Sequence, residues 1–187
     1  VQQGRTSERQ DFVDTMRGTL AALGMTEELS FSFTSEKTLD KLGVPADSPL
    51  RQAIPIMNPL TDEYPLIRTT LLTSVLENAA RNVARKNMDL RLFDIAPVFF
   101  PKALPVTELA NEKLMVARLI TGRRSPIAWD TDNAQVDFYD MKGILERFLT
   151  AIGVQKYTVE RGEHFAMHPG KTALLKKGRD VLATLGE

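Results

Sequence analysis

The chain has 187 residues, of which 43% are hydrophobic and 26% charged, with 10 Pro and 11 Gly, an ordinary globular composition that excludes disorder as the main state. Lys and Arg number 24 and Asp and Glu number 24, so the neutral balance argues against a strong basic footprint for nucleic acid and leaves room only for a local patch. With no Cys, the chain cannot carry a disulfide, a thiolate nucleophile, an iron–sulfur cluster or a Cys-based zinc site.

Ser7 with Gln10 has the spacing of a capping box, and Phe12, Met16, Leu20 and Leu23 recur at helical spacing, which predicts a helix from Ser7 to Leu23 stopped by Gly24. Leu29-Ser30-Phe31-Ser32-Phe33 alternates with period two and reads as a half-buried strand. A short helix, Ser35 to Leu42, follows and ends at Gly43. Five prolines at 45, 49, 55, 59 and 65 make the next segment a structured loop with at most a short strand around Arg51 to Met57. From Leu71 a stripe of Leu72, Val75, Leu76, Ala79 and Val83 predicts the second long helix.

Leu90 to Ile95 and Val98 to Phe100 read as two strands separated at Pro97, and Leu114 to Ile120 as another apolar run ending at Gly122. After a turn-rich stretch holding Trp129, Asp137 is the N-cap of a third helix whose Met141, Leu145, Phe148, Leu149 and Ile152 line one face. Tyr157 to Arg161, Ala173 to Leu175 and Val181 to Leu185 read as short strands. Adjacent strands without crossover helices predict an α+β fold, an antiparallel sheet flanked by helices, in a single domain spanning residues 1–187. Leu72, Leu76, Val83, Phe93, Val98, Leu119, Leu145 and Leu149 are expected to be buried together. No apolar run reaches the ~18 residues of a membrane helix, and the start Val1-Gln2-Gln3-Gly4-Arg5 is polar. The reading therefore expects a cytoplasmic protein and, from its ends, a piece of a longer polypeptide.

Several motifs fail on spacing. Gly170-Lys171-Thr172 resembles the end of a phosphate-binding loop, but the required first Gly falls at Phe165. His164 and His168 lack a third ligand for zinc, so no metal is expected. Asp130, Asp132 and Asp137 fail a calcium loop at Ala134, Gln135 and Met141. Arg81, Arg85, Lys86 and Arg91, with Arg123 and Arg124, read as solvated charge, with RNA contact as the alternative. Glu63, Arg68, Asp94 and Glu108 have no recognisable catalytic partner, and no catalytic residue is named.

Asn58-Pro59-Leu60-Thr61-Asp62-Glu63, Leu66-Ile67-Arg68-Thr69-Thr70-Leu71-Leu72, Leu76-Glu77 and Asn82 resemble the beta subunit of bacterial phenylalanyl-tRNA synthetase. The resemblance continues in order through Leu92 to Phe99, where the family pattern has Glu and Gly in place of Asp94 and Ala96. It then runs through Trp129, Val136 to Gly143 and His168 to Ala173. Thr73-Ser74 departs from the family's Pro-Gly.

The resemblance implies a class II aminoacyl-tRNA synthetase core-like domain without chemistry, a fragment of a longer beta chain. In a working core, an Arg after the second long helix grips the ATP α-phosphate; here Val98-Phe99-Phe100 runs into Pro101. The implied partner is the alpha subunit in an α2β2 assembly that uses ATP with magnesium and binds tRNA, with no cofactor in this domain. The expected interface holds Phe12, Met16, Gly18, Leu20, Leu29, Phe31 and Phe33, because Ser7 to Phe33 resembles the first class II motif. The alternatives are a tRNA-contacting module of the same enzyme or an active adenylate-forming core.

Overall fold

The structure is a computed structural model that describes residues 4–187; the polar start read at residues 1–3 lies outside the described residues. In chain order the elements are α1 (Glu8–Ala22), β1 (Thr26–Glu27), β2 (Phe33–Thr34), α2 (Glu36–Lys41), a 3-10 turn (Pro49–Arg51), β3 (Ile54–Pro55) and β4 (Leu66–Ile67). There follow α3 (Leu72–Ala84), β5 (Leu90–Phe100), β6 (Asn111–Thr121), α4 (Phe138–Ala151), β7 (Thr158–Arg161), β8 (Thr172–Lys177) and β9 (Asp180–Gly186). They form two compact units, one of residues 28–119 and one that joins the N-terminal segment to residues 120–187.

In the unit of residues 28–119, β2, β4 and β3 make an antiparallel sheet in that order, with Phe33 and Ile54 on either side of Ile67. Ser35 caps α2 by accepting from the Thr38 amide at 3.3 Å, and the helix closes through Gly43 at φ 74, a left-handed conformation that favours glycine. The proline-rich segment has few backbone ladders, so Arg51 satisfies it from the side. Its Nη2 donates to the Val44 carbonyl at 2.7 Å, while Asp40 and Glu36 bind the same guanidinium at 2.8 and 3.2 Å.

Helix α3 buries Thr73, Val75 and Ala79, whereas Leu76 is 38% exposed and Val83 is exposed too. This corrects the expected stripe. The periodicity was compatible with several arcs of the helix, and the arc that faces β5 is the one carrying the small Ala79, which packs with Leu90, Leu92 and Leu119. Strand β5 is also continuous through Pro97 instead of dividing there. Pro97 has no N–H to offer a ladder, and its carbonyl accepts from the Arg68 side chain at 3.0 Å.

In the other unit, Ser7 caps α1 by accepting from the Gln10 amide at 3.2 Å, and Gln10 turns its own side chain to Asp14 rather than completing the box. Val13, Met16 and Leu20 are buried, while Phe12 points outward. Helix α4 has a complete capping box between Asp137 and Asp140 and buries Ile144, Leu145, Phe148 and Leu149. It packs against α1 and β9. Strands β7, β8 and β9 form an antiparallel sheet whose Ala173, Leu175 and Leu185 are buried. Each fully buried Leu in these clusters contributes about 1.5–3 kcal/mol over its exposed state.

Candidate functional site

The predicted strand at Leu29 to Phe33 is regular strand only from Phe33 onward, and its alternation is inverted: the serines face the protein and the apolar side chains face solvent. The reason lies beneath it. Arg68 is 1% exposed and Asp94 is 2% exposed, so both charges need partners inside the unit. Arg68 Nη1 donates to Ser30 Oγ at 2.7 Å and to the Phe31 carbonyl at 3.1 Å, while its Nε reaches the Pro97 carbonyl. Ser30 Oγ in turn donates to Asp94 Oδ2. The Arg68 backbone joins in, its amide donating to Ser32 O at 2.9 Å and its carbonyl accepting from Phe99 N at 3.0 Å. Burial lowers the Arg68 pKa from its ordinary value, and Asp94 opposes that shift.

This network fixes an extended segment from which Leu29, at 91% exposure, and Phe31, at 83%, project into solvent. The rings of Phe31 and Phe33 lie 6.4 Å apart and nearly parallel, at 7°, which makes one continuous aromatic surface. Glu28 anchors the same segment. Its amide donates to Phe93 O at 2.8 Å, and Asn78 on α3 donates to its Oε2. Its Oε1 is buried without a partner. Burial raises the Glu28 pKa; Asn78 opposes this, Asp94 reinforces it and Arg81 opposes it.

The expected interface residues thus divide. Leu29, Phe31 and Phe33 form one exposed surface. Phe12 and Gly18 are exposed on α1, and a Cβ at Gly18 would meet nothing within 4 Å. Met16 and Leu20, expected in the same set, are buried in the chain, at 3% and 0% exposure. They recur at helical spacing, the spacing that core burial also produces.

Of the four side chains considered for catalysis, Arg68 and Asp94 are sealed in the network, Glu63 is exposed, and Glu108 pairs with Lys102 at 3.1 Å. Strand β5 ends at Phe100, whose ring is covered by Lys113 with Nζ 5.2 Å from the centroid. A cavity of about 210 Å³ is lined by Gln52, Pro101, Lys102, Ala103 and Leu104, below the ~300 Å³ of ordinary ligand pockets. His164 and His168 each accept a backbone amide on Nδ1, from Ala166 at 3.2 Å and Gly170 at 3.0 Å. Among the described residues no group of three His, Asp or Glu is placed to hold a metal.

Two solved structures share this fold. One, described as "Structure of Desulfitobacterium hafniense PylSc, a pyrrolysyl tRNA synthetase", aligns with a TM-score of 0.66 at 16% identity over 95% of this chain and 55% of its own. The other, pyrrolysyl-tRNA synthetase from Desulfitobacterium hafniense, gives 0.68 at 14% identity over 95% and 58%. The fold is that of the class II synthetase core, a mixed α+β fold of antiparallel sheets and helices. Within that class, residues 1–187 match the family model "Phenylalanyl tRNA synthetase beta chain CLM domain". The phenylalanine–tRNA ligase beta subunit of Syntrophotalea carbinolica is 39% identical over 177 residues, which are 94% of this chain and 22% of that protein. The one from Geobacter sulfurreducens is 36% identical over 185 residues, 98% of this chain and 23% of that protein. The chain belongs to the phenylalanyl-tRNA synthetase beta-chain family, as its CLM domain, and it spans less than a quarter of the length of these curated relatives.

Proposed function

We propose that this chain acts as one core-like domain, residues 1–187, that assembles the synthetase without performing its chemistry. It docks the alpha subunit of phenylalanine–tRNA ligase in an α2β2 complex in the cytoplasm. The complex attaches phenylalanine to tRNA with ATP and magnesium held elsewhere than in this domain. The observation that carries the reading is the exposed Leu29, Phe31 and Phe33 surface resting on the buried Arg68 and Asp94. A desolvated ion network that holds aromatic side chains in water is explicable when a second protein covers them. Phe12 and Gly18, exposed on α1 in the other unit, are proposed as a separate contact, with Gly18 leaving room for close approach.

The test is the affinity of the full beta chain for the alpha subunit, taken from association and dissociation rates. The double change Phe31→Ser with Phe33→Ser removes exposed rings, so the fold should be retained and the affinity should fall at least ~30-fold, the scale of interface hot spots. Unchanged affinity would mean that the alpha subunit docks elsewhere.

A further inference from the structure

The loop of residues 122–136, between β6 and α4, is closed at its base by backbone hydrogen bonds from Arg124 N to Ala134 O at 2.8 Å and from Val136 N to Gly122 O at 2.9 Å. Arg123 and Gln135 form an isolated bridge beside them. Arg124 ties the base to the N-terminus of α4, with Nε on Asp140 at 3.0 Å and Nη2 on Asp137 at 3.3 Å. At the tip, Thr131 Oγ1 accepts from Ala128 N and donates to Pro126 O, each at 3.0 Å, and Asp132 accepts from Ala134 N at 3.2 Å. All this hydrogen bonding holds up the sole Trp of the chain, Trp129, which is 97% exposed, beside an exposed Ile127.

We propose that Ile127 and Trp129 form a second docking point, an anchor that inserts into an apolar cleft edged by Lys or Arg side chains on the alpha subunit. This rests on the assembly reading above and adds to it a site in the other unit. Three observations support a protein occupant of that charge. An indole wholly in water is the side chain most often found as a buried hot spot once a partner arrives. The loop is already tied down, so docking orders little additional chain. The tip from Pro126 to Asn133 carries Asp130 and Asp132 and no Lys or Arg, which attracts a cationic rim and repels the phosphates that would accompany a stacked RNA base.

The experiment compares four full-length beta chains in alpha-subunit association kinetics: unaltered, Trp129→Ala, Trp129→Phe, and Asp130→Lys with Asp132→Lys. The Phe31→Ser/Phe33→Ser chain serves as reference. Trp129→Ala should weaken assembly at least ~30-fold, chiefly in the dissociation rate, while Trp129→Phe keeps most of the affinity. The charge reversal should slow association and reverse its salt dependence. If Trp129→Ala stays within about twofold of the unaltered chain while the reference variant is weakened, the anchor is wrong and the assembly reading stands; if neither is weakened, both fail. Trp129→Ala that leaves the alpha-subunit affinity intact but weakens tRNA binding, beta self-association or the melting temperature of the beta chain also overturns the proposal, by assigning the loop to RNA, to a second copy or to the chain itself.

Discussion

Ser30 Oγ stands between Arg68 and Asp94: it accepts from Arg68 Nη1 at 2.7 Å and donates to Asp94 Oδ2, so the two buried charges are bridged while their own closest approach is 3.8 Å. A hydroxyl that serves both charges is hard to replace, since an apolar group leaves each with an unmet hydrogen bond at once. Ser30→Ala should destabilise the chain by about 1–3 kcal/mol, and Asp94→Ala by about 3–5 kcal/mol, because it leaves the Arg68 charge buried and unpaired. Urea denaturation measures both. A Ser30→Ala loss below about 0.3 kcal/mol would mean that the bridge contributes nothing.

Glu28 makes a pH prediction. Its folded pKa is raised by burial, with Asp94 adding to the rise and Asn78 and Arg81 opposing it. The folded state therefore holds a proton that the unfolded chain, near the ordinary value of 4.5, has already released. Proton uptake on folding means that this group's stabilisation is full below that ordinary value and is lost as pH rises through the folded pKa. Glu28→Gln keeps the shape and an acceptor for Asn78 but cannot ionise. It should be at least as stable as the unaltered chain at about pH 7, with a gain over it that shrinks toward pH 5. Urea midpoints at stepped pH values check this; a Glu28→Gln chain with an unchanged pH profile would remove Glu28 as the source.

The α3 stripe yields a contrast between two leucines. Leu39 on α2 is fully buried, whereas Leu76 on α3 is 38% exposed. Leu39→Ala should cost about 2–5 kcal/mol, while Leu76→Ala should cost less than about 1 kcal/mol. Equal losses in denaturant would show that Leu76 is covered as deeply as its spacing suggested.

Much of the fold was legible because local chemistry and tertiary structure agree. Ser7 and Asp137 cap the helices they were expected to cap, Ser35 caps the short helix expected to begin there, and Gly24, Gly43 and Gly153 take positive φ just past the helix ends. The illegible parts are those where a distant partner decides. Period two at Leu29 to Phe33 says that two faces differ, and only the buried Arg68 and Asp94, far along the chain, decide that the serines turn inward. Strand β5 likewise runs unbroken through Pro97, where Arg68 binds the carbonyl from a distant part of the sequence. For the interface, family resemblance pointed to Ser7 through Phe33, but apolar spacing could not separate the buried Met16 and Leu20 from the exposed Leu29 and Phe31.

Amino acid activation requires a cation that meets the charge developing on the α-phosphate as pyrophosphate departs. The end of β5 supplies Val98, Phe99, Phe100 and then Pro101, and the nearby Lys113 ammonium lies over the Phe100 ring. Arg68 has the right chemistry in the wrong place: its guanidinium is committed to Ser30, Phe31 and Pro97 and is closed to solvent. The isolated chain should therefore catalyse no phenylalanine-dependent exchange of labelled pyrophosphate into ATP above a buffer blank, while the α2β2 assembly does. Loss of exchange in the assembly should follow a failure to assemble and not the removal of any carboxylate of this chain, so Glu63→Gln should leave it unchanged. Exchange by the isolated chain that disappears on Glu63→Gln would place an active centre in this domain and overturn the non-catalytic reading.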